Sequence, residues 1–411
     1  MDKLTPMMQQ YLEIKKQYKD CILFFRLGDF YEMFFEDAEI ASRELEITLT
    51  GRDCGLEERA PMCGVPFHSV NPYIAKLINK GYKVAICEQM EDPALAKGIV
   101  KREVVRVITP GTVTELSMLD EKENNFLLSV YRNKDLYGIA AVDITTGEFF
   151  ATRIILGNTF SKLMDEIAKY SPSEIIVNPE LYDDVSKKSE VISRFNTYIN
   201  RLDDEYFRLD NCVEKINFYF QDKKIEELSV NACGALLSYL EETQKVNLTH
   251  IRKIEIYQIE EYMSLDVSTR RHLELTETMR DKTRKGSLIW VMDKTVTSMG
   301  GRTLRKWLEQ PLIRVADIHE RLDAVSELKD KYMVRMETRE HLKKVYDIER
   351  LMSKIIIGNV NCRDLISLRD SIRQIPPIKN LLMNCNTRLN AKNYQGLDTL
   401  EDIYDLIEKS I

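Results

Sequence analysis

The chain has 411 residues, of which 44% are hydrophobic and 30% charged, and a formal net charge of -7. That length exceeds one ordinary core and predicts two to four domains of roughly 100–200 residues each, with the composition of a soluble globular protein. No apolar run approaches the ~18–20 residues of a membrane span, and none of the eight cysteines forms a Cys-x-x-Cys pair, which excludes a zinc knuckle or disulfide frame and reads as reduced cytoplasmic thiols.

The charge is uneven. Side chains sum to about -2 over residues 1–110, about -9 over 111–250 and about +4 over 251–411. The N-terminal part therefore lacks the basic stripe of a protein that holds nucleic acid by neutralising phosphates. Any contact it makes with DNA rests on a few specific residues. Met1-Asp2-Lys3-Leu4-Thr5-Pro6 has no basic segment followed by an apolar one, so no secretory signal is visible.

In chain order, Thr5-Pro6 is an N-cap and N1 pair for a first helix ending near Lys19. Residues 22–27 form a short apolar strand, and Gly28-Asp29 turns the chain. Residues 31–45 read as a helix with Phe34, Ala38, Ala41 and Leu45 on one face. The stretch from Gly51-Arg52-Asp53 to Pro66-Phe67-His68 is rich in Pro and Gly and reads as an ordered but irregular loop. Asn71-Pro72 starts another helix that Gly81 stops. Residues 83–89 and 104–108 are strands, and Pro110-Gly111 closes a mixed α/β domain. A polar linker follows near 115–125. Residues 126–131, 138–143 and 148–152 form a β-meander. Helix and strand then alternate at 160–170 and 174–177, and a helix over about 230–245 ends the second unit. Beyond about Glu260 strand signals vanish. Periodicities such as Ile318, Leu322, Val325 and Leu328 predict long helices suited to levers or struts. Residues 397–403 read as an amphipathic helix still running at Ile411, as expected of a fragment cut inside a helical domain.

The aromatic run around Phe30 carries the first chemistry. Periodicity alone assigns Phe30 and Phe34, four apart, to a core. At a helix start, however, Phe30 projects past the helix end, and Glu32 faces outward with it near the favourable N-terminus. An exposed ring can wedge between bases and stack, a contact worth ~1–3 kcal/mol per base. Wedging costs a few kcal/mol per unstacked step, and less where pairing is already poor. A carboxylate beside it is repelled by ordinary DNA and tolerated where a base offers a donor, which makes it a discriminator. Arg52 and Met62 are expected to flank this wedge and line a groove.

Other signals are weaker. Cys63 with His68 is the nearest approach to a metal pair, with no further ligand in sight. Asp143 and Glu148 on the meander are the acids a two-metal nuclease would use, but no third or fourth acid joins them. No Gly-x-x-x-x-Gly-Lys-Ser/Thr run is present, so the chain carries no P-loop. Gly300-Gly301-Arg302-Thr303 lacks the lysine and runs into a helix.

Gly28-Asp29-Phe30-Tyr31-Glu32 resembles the aromatic-x-Glu signature of the MutS family of mismatch-repair proteins. Pro61-Met62-Cys63-Gly64-Val65-Pro66-Phe67-His68-Ser69-Val70, Ala85-Ile86-Cys87-Glu88-Gln89 and Val105-Arg106-Val107-Ile108-Thr109-Pro110-Gly111-Thr112 are similar to the same family. So are the 265–275 segment, Met299-Gly300-Gly301-Arg302-Thr303-Leu304 and Asp347-Ile348-Glu349-Arg350-Leu351. The resemblance runs the whole chain in one order. It implies a multidomain α/β plus α protein: a mixed α/β mismatch-binding domain at 1–112, a linker at 113–125, an RNase H-like connector without catalysis at 126–250, and part of a helical core or lever domain at 251–411. It implies that Phe30 stacks on a mispaired base in duplex DNA and that Glu32 hydrogen-bonds it. It further implies a clamp and a dimerising ATPase outside this chain, using ATP and Mg²⁺, a homodimer, a MutL-type repair partner, and a cytoplasmic, nucleoid-associated location. The alternatives are a metal-dependent nuclease in the middle domain and a recombination-type structural clamp of the same family. Retention of Phe30 and Glu32 weighs against the clamp.

Overall fold

The computed structural model describes residues 4–91, 98–195, 197–220, 225–246 and 248–411. Residues 1–3, which begin the N-terminal reading above, and 92–97 in the first unit lie outside them.

The first unit opens with α1 (Pro6–Gln17), β1 (Cys21–Leu27), β2 (Phe30–Phe34), α2 (Glu36–Leu45), β3 (Thr50–Arg52) and β4 (Ala60–Pro66). It continues with α3 (Asn71–Ile78), β5 (Lys83–Gln89) and β6 (Arg102–Ile108). The six strands lie in the order β3-β4-β2-β1-β5-β6. Successive strand residues point to opposite faces. Odd positions of β1 and even positions of β2 therefore share one face, where Cys21, Leu23, Phe25 and Phe34 pack against Met8 and Tyr11 of α1. The opposite face packs Ile22, Phe24, Tyr31 and Met33 against Ala38, Ala41 and Leu45 of α2 and Ile74 and Leu77 of α3. Asp37 ties the layers together: it accepts from Lys15 at 2.7 Å, Tyr11 at 2.8 Å and the Leu23 amide at 3.1 Å.

Two expectations are corrected here. The helix expected over 31–45 begins at Glu36, because residues 30–34 are strand β2. Gly28 (φ +57°) and Asp29 form a two-residue turn with Leu27 opposite Phe30. A glycine with positive φ at the first turn position fits a type II′ hairpin, which returns the chain antiparallel rather than into a helix. The expected irregular loop also contains β3 and β4, and β4 pairs with β2 from Phe30↔Pro66 to Phe34↔Met62. Pro61, Gly64 and Pro66 hide β4 locally, since proline donates nothing to a ladder.

The second unit contains β7 (Leu127–Asn133), β8 (Leu136–Asp143), β9 (Glu148–Ile154), α4 (Thr159–Tyr170), β10 (Glu174–Val177), α5 (Pro179–Tyr182) and α6 (Val185–Phe195). It ends with β11 (Tyr198–Arg201), α7 (Leu209–Tyr219), α8 (Glu227–Gln244) and β12 (Glu255–Ile256). The antiparallel meander β7-β8-β9 is extended by parallel neighbours into the order β11-β10-β7-β8-β9-β12. α8 and α7 cover one face and α4 the other. Gly138 admits α8 closely, since a Cβ there would lie 1.7 Å from the Leu228 carbonyl oxygen.

The segment between the sheets is docked. The buried Glu174 accepts from the Gly111 amide at 2.9 Å, from Tyr239 at 2.6 Å and from Asn200 at 2.6 Å, and also from the Thr109 hydroxyl. Residues 120–123 are gripped from the third unit. Arg350 donates to the carbonyls of Asp120 (2.9 Å) and Glu123 (2.6 Å), and Arg302 to that of Glu121 (2.8 Å).

The third unit is helical: α9 (Val267–His272), α10 (Leu288–Met292), α11 (Ser298–Glu309), α12 (Val315–Asp330), α13 (Tyr332–Leu342), α14 (Ile348–Ile357), α15 (Cys362–Ile372), α16 (Ile375–Leu382), α17 (Arg388–Gly396) and α18 (Glu401–Ser410). The long helices expected here are short segments, the longest being α12 with 16 residues. Nor do residues 397–403 form one helix: α17 stops at Gly396, Leu400 is left-handed at φ 52°, and α18 starts at Glu401. Among the described residues, no helix is long and apolar enough to cross a membrane.

Candidate nucleic-acid interface

The face of the first sheet that packs on α1 is buried at one end and open at the other. Phe34, at the α1 end of β2, is 1% exposed, whereas Phe30, beside the hairpin turn, is 47% exposed. Register places Leu27 on one side of Phe30 and Pro66 on the other. Phe30 and Glu32 do share a side of the element, for a reason different from the helix-start argument: two residues is the side-chain period of a strand.

Glu32 pairs with Arg52 of β3. The Glu32 side chain is 16% exposed and that of Arg52 is 40% exposed. Met62 lies on the same face but opposite Phe34, in contact with the α1-side core. The structure thus joins Arg52 to Glu32, while Pro66 rather than Met62 stands opposite the Phe30 ring.

A second aromatic borders the site. Phe67 follows β4, is 37% exposed, and donates its amide to the Asp29 carbonyl at 3.0 Å. The Arg26 guanidinium lies 3.5 Å from the Phe67 ring centroid and 3.6 Å from Glu88. Nothing in the local pattern of Pro66-Phe67-His68 assigned Phe67 a role; only the β2–β4 register brings it beside Phe30. Behind the hairpin, Arg102 stacks on Phe25 at 4.9 Å and donates to the Arg26 carbonyl (2.8 Å) and to Gln10 (3.0 Å). These bonds hold the turn end of the sheet in place.

The competing sites are structural. Asp143 is fully buried, and its oxygens accept from Asn124 (2.9 Å), the Asn125 amide (3.2 Å), and the amide and hydroxyl of Thr145 (2.8 and 2.7 Å). Asn124 also bridges to Glu148 at 2.8 Å. Burial pushes the Glu148 carboxyl upward, against Lys306. The Cys63 thiol is buried on β4, donates to the Ala38 carbonyl at 3.4 Å, and is pushed up to about 12 by burial. His68 is exposed in the turn beyond β4. Among the described residues no three His, Cys, Asp or Glu side chains are grouped to hold a metal. Gly300-Gly301 begins α11 where it packs on the docked segment: a Cβ on Gly301 would lie 2.7 Å from Lys122 Cγ.

Three family models match in succession: MutS domain I over residues 5–117, MutS domain II over 125–252 and MutS domain III over 268–411. The chain belongs to the MutS family. Its relatives include proteins described as DNA mismatch repair protein MutS from Acetivibrio thermocellus (66% identical), Ruminiclostridium cellulolyticum (65%) and Caldanaerobacter subterraneus (54%). All of this chain is covered in the first two matches and 99% in the third, against 48%, 48% and 47% of those relatives. The chain therefore spans about half the length of the MutS relatives it matches. Its mixed α/β units and helical third unit follow the order of the family's first three domains.

Proposed function

We propose that the first unit reads base mispairs and small unpaired loops in duplex DNA and so initiates ATP-dependent mismatch repair. The observation that carries this is the half-exposed Phe30 at the open end of a buried sheet face, with the Glu32 carboxylate on the same side. Phe30 enters the duplex where stacking is already weak, and Glu32 takes a donor from the mispaired base. Arg52 and Phe67 border the site, and Met62 supports it from the core side.

In this reading residues 1–112 are the mismatch-binding domain, 126–250 the connector and 251–411 part of the helical core, with 113–125 joining them. The connector's strand order, a three-strand meander flanked by two parallel strands on its first member, supports an RNase H-like assignment. The saturated Asp143 favours a structural role for it over cleavage. The ATP and Mg²⁺ switch, the dimer contact and the MutL-type partner belong to the whole protein, in the cytoplasm. This chain supplies the reader.

The test is a gel-shift series with G·T, single-unpaired-base and fully paired duplexes on the full-length protein containing this chain. Phe30→Ala is expected to abolish the preference for heteroduplex; a surviving preference rejects the wedge.

A further inference from the structure

The ion pair between Glu32 and Arg52 spans a strand: Glu32 is on β2, Arg52 on β3, and β4 runs between them. Position 64 lies beside this pair. Gly64 is the register partner of Glu32 on β4. A Cβ built on it would lie 3.4 Å from Glu32 Cγ and 3.2 Å from the Tyr31 carbonyl oxygen. The Glu32 side chain thus runs beside Gly64 on its way to Arg52. Glycine inside a strand weakens it and often marks a close approach. Here the closest approach is that of the Tyr31 carbonyl oxygen, with the Glu32 methylene in ordinary contact beside it.

The two charges have opposite consequences at a DNA surface. A free arginine on this rim would bind any duplex through a phosphate, whatever its sequence. A free carboxylate would be repelled by every duplex. Paired, they cancel, and neither acts until the pair opens.

The geometry points to an exchange: Arg52 is the counter-ion of Glu32 until a mispaired base takes the carboxylate, and only then is its guanidinium released to a phosphate. This rests on the proposal that this face meets DNA. On a fully paired duplex Glu32 finds no free base donor, keeps Arg52, and the phosphate contact is not made. At a mispair the base donor replaces Arg52, whose half-exposed side chain is free to turn outward. One sequence-independent contact is thereby made conditional on the defect, which adds discrimination without adding a base contact.

Salt dependence reads this directly, because each phosphate neutralised adds about 0.9 to the magnitude of the slope of log K against log salt. The full-length protein is titrated with a G·T duplex and with its fully paired counterpart. Arg52→Ala is expected to reduce the slope by about 0.9 on G·T DNA and to leave it unchanged on paired DNA. Glu32→Ala is expected to steepen the paired-DNA slope by about 0.9, with several-fold tighter binding, and Arg52→Ala in that background to remove the gain. Equal slope losses on both duplexes with Arg52→Ala would make Arg52 a constant phosphate contact and overturn the exchange. A Glu32→Ala gain that persists without Arg52 would reduce the effect to simple repulsion and overturn it too. Either result leaves the wedge intact if the unsubstituted protein still prefers G·T DNA. Absence of that preference rejects the underlying reading itself.

Discussion

Phe30 and Phe34 are chemically identical, four residues apart and on one face of one strand, yet the first is 47% exposed and the second 1%. Burial separates their energetic roles. Full burial of such a side chain contributes roughly 1.5–3 kcal/mol, so Phe30 contributes about half of that at most. Phe34→Ala is expected to destabilise the unit by about 3–5 kcal/mol and Phe30→Ala by about 1 kcal/mol. Urea unfolding of the two variants checks this; equal losses would make Phe30 a core residue. Phe30 could not be separated from core by spacing, because period four fits both a helix face and a strand face. Its aromatic character and the nearby carboxylate were legible as chemistry. The partner of that carboxylate was not, because Arg52 reaches Glu32 only through the pairing of three strands.

At the scale of elements, strands and helices with clear local patterns were readable: β1, β5, the meander and α8 fall where alternation, apolar runs and turns place them. The misreadings occur where tertiary pairing decides. β2 is five residues long and runs into α2 through Phe35, which sits at φ 54°. An apolar series continuing into a helix is easily read as one helix, and only the bonds from β1 and β4 on its two sides hold β2 extended. In α12 the apolar positions Ile318, Leu322 and Val325 are 36%, 56% and 59% exposed. Their periodicity is that of a helix, as the structure has it, but the described residues do not bury them.

At the scale of the whole molecule, the segment 120–123 is docked on the third unit. Lys122 binds Asp293 at 3.0 Å and the Thr295 carbonyl at 3.2 Å, while Arg284 also pairs with Asp293. Burial would raise the Asp293 carboxyl, but hydrogen bonds from Thr295 and Lys122 outweigh it and hold it well below the usual carboxylate range. A carboxyl depressed in the folded state stabilises fully above its unfolded pKa of about 3.9 and loses that contribution as pH falls through the folded value. Asp293→Asn is therefore expected to lower the urea midpoint at pH 7, with the difference from the unsubstituted chain shrinking below about pH 4. A difference independent of pH would show that the Asp293 charge does not stabilise the fold.

The first unit is tied to the second where Thr109 and Gly111 donate to Glu174, and its Phe30 end is the part proposed to meet DNA. Site-specific photocrosslinking tests this most directly. The full-length protein carrying benzoylphenylalanine at position 30 is bound to a labelled duplex with one G·T pair and irradiated. Adducts are expected to concentrate at the mispair and to be lost when the duplex is fully paired. Adducts spread evenly along the DNA, or equal in yield on paired duplex, would contradict it.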